Sequence, residues 1–230
     1  MIKLKETKFL RNKNMKSSSA RWISRHIKDE YVIAAKREKY RSRSAFKLIE
    51  IHEKENIFSR KCLSVLDLGC SPGGWSQVAT RILENNINNV TIVGVDLIGM
   101  EPIEGVNFIA GDFCDLTIQK SIVSFKNKFD IIMSDMAPNT IGHKSTDMIR
   151  SAALIEQVCE FADKYLSEGG TLVFKSFCQN ISQNSQQFLK SNFAYFKRIK
   201  PKSSRKESIE VYFVAKNFNG RKKSSTNNLL

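Results

Sequence analysis

The chain has 230 residues, 41% of them hydrophobic and 26% charged, the composition of one globular domain with chain enough for a single good core. Collagen-like, low-complexity and fully disordered classes are excluded. The formal net charge is +14, unevenly divided: residues 1–47 carry 15 basic and 4 acidic side chains, residues 190–230 carry 11 and 2, and the stretch between them is net −6. Basic ends of this size attract a polyanion by counterion release, while an acidic middle suits a different task. A merely solvated surface is the bland alternative.

Five cysteines, at 62, 70, 114, 159 and 178, show neither CxxC spacing nor histidine pairing, and an odd count argues against a disulfide framework. The expectation is a reduced, cytoplasmic protein without a metal. No apolar run approaches the roughly 20 residues of a membrane span, and the basic start lacks the apolar stretch of a signal peptide. Residues 1–25 are also compatible with an organellar presequence, although Glu6 counts against one.

In chain order, residues 1–19 form a basic arm, residues 20–216 a single domain, and residues 217–230 a basic tail, both ends reading as flexible. Within the domain, apolar β-rich runs alternate with helical patterns, the signal of a parallel sheet built from βαβ units. The predicted strands are Leu63–Leu68, Val90–Val95, Val106–Ile109, Phe129–Met133, Thr171–Phe174, Phe193–Ile199 and Ile209–Val214. The predicted helices are Ala45–Lys54, Gly74–Asn85, Leu116–Ser124, Met148–Leu166 and Ser182–Leu189. Lys200–Ser208 is too short for a helical crossover, so the last two strands should form a hairpin and make one sheet edge antiparallel.

The turn Asp67-Leu-Gly69-Cys70-Ser71-Pro72-Gly73-Gly74-Trp75 follows the first strand and opens a helix, where an α/β sheet binds nucleotide-like ligands. Ser71 occupies the place where a dinucleotide fingerprint needs glycine for a pyrophosphate, which weakens an NAD reading and leaves a nucleoside ligand compatible. A tight structural turn is the alternative. Asp96 ends the second strand, where a carboxylate accepts from a ribose diol; Asp112 ends the third and Asp135 the fourth. Single carboxylates at strand ends serve as helix caps, but three in succession, with the glycine turn, describe a cleft for a cationic nucleoside such as S-adenosylmethionine.

A methyltransferase also needs a nucleophile. Asp135-Met136-Ala137-Pro138-Asn139 lacks the Pro-Pro-aromatic clamp used on exocyclic amines, and no second cysteine accompanies Cys178, which reads as a small core residue. An oxygen nucleophile with a general base remains. Lys175 ends the fifth strand inside an apolar run, where loss of water disfavours an ammonium and an amine could accept a proton. Snorkelling to solvent is the equal alternative. His143 and Lys144 read as solvated loop residues, with RNA contact as the alternative.

Tyr40–Leu48, Asp67–Gln77, Ser134–Asn139, Gly169–Lys175, Ser203-Ser204-Arg205 and Glu210-Val211-Tyr212 together resemble the FtsJ/RlmE-type ribosomal RNA 2′-O-ribose methyltransferases, over about Ser19 to Lys216. The resemblance implies the Rossmann-like class I S-adenosylmethionine-dependent fold, a seven-stranded, mostly parallel sheet with one antiparallel strand near an edge. It implies a catalytic tetrad of Lys47, Asp135, Lys175 and Glu210, with Lys175 as base, Asp135 orienting it, and Lys47 and Glu210 positioning the ribose. S-adenosyl-L-methionine, leaving as S-adenosyl-L-homocysteine, would be held by Gly73, Trp75, Asp96, Asp112 and Asp135, with Gly69 and Gly74 of the same turn. Ordinary helix-start packing is an equal reading of Trp75.

The implied partner is 23S ribosomal RNA within an assembled or assembling large subunit, methylated at a uridine of the peptidyl-transferase A loop by a monomeric enzyme. Arg21, Arg25, Lys36, Arg41, Arg43, Lys202, Ser204 and Arg205 would hold its phosphates. Relatives acting on tRNA or mRNA caps share the tetrad, and a silent RNA-binding module is the non-enzymatic alternative. Cys70-Ser71, where relatives commonly have two alanines, and the missing glycine in Ser176–Asn180 depart from the family pattern without removing a reacting group.

Overall fold

The computed structural model describes residues 27–58, 62–138, 142–177 and 181–220. Its elements are α1 (Glu30–Arg37), α2 (Ala45–Glu55), β1 (Ser64–Leu68), α3 (Gly74–Ile82), a 3₁₀ turn (Glu84–Asn89), β2 (Thr91–Asp96), β3 (Val106–Ala110), α4 (Leu116–Phe125), β4 (Phe129–Ser134), α5 (Lys144–Tyr165), β5 (Leu166–Ser176), α6 (Gln183–Asn192), β6 (Phe193–Ile199) and β7 (Val211–Phe218). They build one seven-stranded sheet in the order β3-β2-β1-β4-β5-β7-β6. Every pairing from β3 to β5 is parallel, and β7 runs antiparallel between β5 and β6. The expected hairpin therefore forms, with the last strand as the antiparallel one.

The central strand β1 is buried along its whole length, as a parallel strand covered on both faces must be. Alternate side chains feed two cores. Leu66, Leu68 and Ile132 join Ile122, Phe161 and Leu189 from α4, α5 and α6 on one face. Val65, Ile131 and Met133 join Leu48, Ile51, Trp75 and Val78 from α2 and α3 on the other. The helices are started by local chemistry. Asp115 caps α4 by accepting from Thr117 N at 2.6 Å, Ser182 caps α6 from Ser185 N at 3.2 Å, and Asn56, at φ +46°, closes α2.

Several expectations need correction. Helix α1 was not predicted; Asp29 caps it, Glu30 opens it and Lys36 and Arg37 close it, so its charges match the helix dipole. Helix α3 stops at Ile82 and gives way to the 3₁₀ turn, short of Asn85. Helix α5 starts a turn earlier than Met148, so His143 is its N-cap and Lys144 its first residue rather than loop. Strand β5 begins directly where α5 ends, and β7 carries the fold to Phe218, past the boundary drawn at 216. The N-terminal arm, the part of the C-terminal tail from residue 221 on, Arg21, Arg25, Asn139 and Cys178 lie outside the described residues.

Candidate functional site

The carboxyl ends of β1, β2, β3 and β4 surround a cavity of about 690 Å³. Its lining includes Gly69, Ser71, Asp96, Asp112 and Asp135, the apolar Leu97, Ile98, Phe113, Met136 and Leu154, and the polar Arg150 and Gln157 from α5. This is the crevice at the strand ends where open α/β sheets take their ligands. At Gly69 the backbone has φ +74°, and a Cβ would fall 2.1 Å from Met136 Cγ, so the turn can lie against the segment that follows β4 only without a side chain.

Two of the acidic residues are pinned by backbone. Asp96 accepts from Ser71 N on Oδ2 and from Ile98 N on Oδ1, each at 2.8 Å, and Asp112 Oδ1 accepts from Cys114 N at 2.9 Å. Each carboxylate oxygen has a second lone pair, so these bonds aim the groups without exhausting them. Behind them lies Asp67, wholly buried, accepting from Ser76 Oγ at 2.6 Å on Oδ2, while Oδ1 has no partner among the described residues. Burial, reinforced by the charges of Asp135 and Asp96 and offset by the Ser76 bond, pushes its carboxyl up to about 7.

Gly73, Gly74 and Trp75, expected at the cofactor, stand apart from the cavity lining. A Cβ on Gly73 would meet Ile103 and Arg41, and one on Gly74 would meet Ser42 Oγ at 2.2 Å. Trp75 is buried, donates from Nε1 to Ser44 O at 3.0 Å and packs against Tyr212 at 5.7 Å between ring centroids. These residues dock α3 against the 42–45 turn and hold the cavity wall from behind.

The four residues of the expected tetrad meet as two ion pairs. Lys175 Nζ lies 3.1 Å from Asp135 Oδ1 and also donates to the Asp135 carbonyl oxygen. Lys47 Nζ lies 2.7 Å from Glu210 Oε1, with 11% and 10% of the two side chains exposed. Tyr212 joins them. It faces Lys175 across β5 and β7, donates from its hydroxyl to Asp135 Oδ1 at 2.7 Å, and lies under Lys47 Nζ, 5.7 Å from its ring centroid. Burial, with Asp135 and Glu210 nearby, raises its phenol well above the usual tyrosine value, so it stays a donor. Both bonds to Asp135 fall on Oδ1; among the described residues Oδ2 has no hydrogen-bond partner, and Asp135 lines the cavity. Asp135 is thus shared between cavity and amine.

Tyr212 was missed as a site residue, since nothing in Val211-Tyr212-Phe213 marks which aromatic meets the carboxylate. Arg150 and Gln157 were missed because a helix midsection carries no local sign of the cavity it faces.

The expected RNA contacts divide. Lys36 and Lys202 are exposed. Arg41 is turned onto its own chain, donating to Pro72 O at 3.3 Å, Pro102 O at 2.7 Å and Glu101 O. Arg43 and Arg205 both reach Asp29, and Ser204 is buried.

The FtsJ-like methyltransferase family model matches residues 40–218. The chain is 45% identical over 216 residues to Ribosomal RNA large subunit methyltransferase E of Rickettsia bellii, covering 91% of this chain and 95% of that protein. It is 39% identical over 221 residues to the protein of the same name in Agrobacterium fabrum, covering 96% and 87%. A provisionally named ribosomal RNA methyltransferase from Plasmodium falciparum superposes with a TM-score of 0.68 at 36% identity, covering 79% of this chain and all of that one. With the family model spanning both the cavity and the paired lysines, the chain belongs to the FtsJ-like methyltransferases.

Proposed function

We propose that this protein transfers a methyl group from S-adenosyl-L-methionine to the 2′-hydroxyl of a ribose in large-subunit ribosomal RNA, at a uridine of the peptidyl-transferase A loop, as a cytoplasmic monomer working on the assembled or assembling subunit. The observation that carries the reading is Asp135, which borders the cavity and holds Lys175 at 3.1 Å. The names borne by relatives at 39–45% identity support the RNA target.

The donor set suits a cationic nucleoside: Asp96 for a ribose diol, Asp112 for an amine, apolar Leu97, Ile98 and Phe113 for a base, and Asp135 for positive charge. When bound, the cofactor supplies a methyl group on a sulfonium. Asp135 holds Lys175 beside the cavity. Lys175, once neutral, takes the proton of the 2′-hydroxyl, and the resulting ammonium stays paired with Asp135. Tyr212 fixes the Asp135 carboxylate, while Lys47 and Glu210 neutralise each other and hold the wall from which Tyr212 projects. Alignment of the hydroxyl supplies much of the rate.

The test is methyl transfer onto assembled large subunits, naked ribosomal RNA and tRNA, with mapping of the modified nucleotide. Lys175→Ala should slow transfer at least about 100-fold while cofactor binding persists. Unchanged transfer would remove the base, and preferential labelling of tRNA would overturn the substrate.

A further inference from the structure

Arg41, in the turn between α1 and α2, joins two loops that are distant from it and from each other in sequence. Its Nη1 donates to Pro72 O at 3.3 Å, in the turn after β1, and to Glu101 O, in the loop after β2; Nη2 donates to Pro102 O at 2.7 Å. The base of the side chain is fixed as well. Arg41 N donates to Gln77 Oε1 on α3 at 2.7 Å, and Gln77 Nε2 donates to Lys39 O at 3.2 Å. Gly73, at φ +109°, leaves room for the stem, since a Cβ there would lie 3.2 Å from Arg41 Cδ and 2.5 Å from Ile103 Cδ1.

These two loops are the ones that aim Asp96. Its Oδ2 takes Ser71 N, next to Pro72, and its Oδ1 takes Ile98 N, three residues before Glu101. The loop after β2 has little packing of its own, with Leu97 and Ile98 at 75% and 69% exposure. Ser71 borders both the cavity and a second hollow of about 620 Å³ lined by Arg41, Pro72, Met100 and Glu101, so the loops form a wall with space on either side. Such a wall gains little from apolar burial and depends on directed bonds. A guanidinium supplies them, because its planar fork carries five N–H donors at fixed angles and its charge strengthens each bond to a carbonyl.

We infer that Arg41 is a positioning residue of the cofactor site, stapling the turn after β1 to the loop after β2 and thereby holding Asp96 where it accepts from the ribose diol of S-adenosyl-L-methionine. This rests on the reading that S-adenosyl-L-methionine is the cofactor. Arg41 then serves the cofactor, in place of the RNA contact expected from its charge. The shape of the fork carries the role: a lysine keeps the positive charge but donates from a single nitrogen and does not span the carbonyls of both loops in the same way.

The full-length protein and its variants are titrated with S-adenosyl-L-methionine, with S-adenosyl-L-homocysteine and with the 2′,3′-dideoxy form of the latter, and separately with large-subunit ribosomal RNA over a range of salt. Arg41→Lys should weaken binding of both natural ligands about tenfold. It should leave affinity for the dideoxy form, which offers Asp96 no diol, at the wild-type value. In an Asp96→Ala background the same substitution should cost less than about twofold, since the two residues act through one bond set. Arg41→Gln should repeat this pattern with the wild-type salt dependence of RNA binding. If Arg41 instead held a phosphate, Arg41→Gln would reduce the salt slope by about one and leave cofactor affinity intact, which overturns the proposal. Equal losses for the diol and dideoxy ligands, or full additivity with Asp96→Ala, would reduce Arg41 to a general support of the fold and overturn it too. A wild-type protein that binds neither natural ligand would reject the cofactor reading itself, whereas wild-type binding that survives Arg41→Lys unchanged would reject the positioning role alone.

Discussion

The two halves of the sheet handle charge in opposite ways. In the parallel half, from β3 to β4, the carboxylates Asp96 and Asp112 are held by backbone N–H groups and border an open cavity. In the half completed by the antiparallel β7, charges meet as closed pairs, Lys175 with Asp135 and Lys47 with Glu210, with Tyr212 between them. Parallel strands end together and present a row of like groups to one crevice. An antiparallel neighbour brings residues from the far end of the chain against them, and so supplies the partners of opposite sign. On the proposed function, recognition and reaction thereby occupy separate halves joined at Asp135.

The strongest way to break this division is Glu210→Ala. It strands the Lys47 ammonium in a nearly closed site and should cost about 3–5 kcal/mol of stability by denaturant unfolding. Replacing both partners by Lys47→Met with Glu210→Leu should recover most of that stability without recovering methyl transfer. Next is Asp67. Its carboxyl is raised in the fold from 3.8 to about 7, so the native state binds the extra proton, and stability falls as pH rises from about 4 to about 7 before levelling. Asp67→Asn, which retains a partner for Ser76, should flatten that fall, by on the order of 4 kcal/mol. A variant with the same pH profile as the parent would show that another group titrates.

Smaller effects separate the halves. Asp96→Ala should weaken S-adenosyl-L-methionine binding by about 10–100-fold in calorimetry and leave RNA affinity intact. Tyr212→Phe removes one bond to Asp135 and should slow methyl transfer about tenfold, with unchanged cofactor affinity. If it weakened cofactor binding as much as Asp96→Ala, the two halves would not be separable.

The strand runs, the hairpin and the acidic row of the cavity were legible because each is written locally: apolar runs between turns, a crossover too short for a helix, an aspartate at the end of each of three strands; that Lys47 and Glu210 lie with Lys175 and Asp135 was implied only by the family resemblance. Helix α1 was not, because its apolar contribution is slight and its start depends on one aspartate that also serves two arginines from elsewhere. The early start of β5 was hidden by Gly169-Gly170, which reads as a break although the strand continues through it. Trp75 illustrates a different loss. Its place in the turn is consistent with ligand contact or packing, and only the structure shows that it is buried, bonded to Ser44 and set against Tyr212. Arg41 and Arg43 read as RNA contacts by charge alone, yet their guanidinium groups are committed to carbonyls and to Asp29. Charge in the sequence tells what a side chain can attract and leaves open what has already claimed it.

The position of β7 also links catalysis to the order of synthesis. Among the described residues it is the last strand made, and it enters between two strands made before it, bringing both Glu210 and Tyr212. A nascent chain that has emerged only as far as β5 already has the residues of the cavity and both lysines, but lacks the groups that pair Lys47 and brace Asp135. On the proposed mechanism, competence for the reaction therefore waits for the insertion of β7 and depends on a long-range contact.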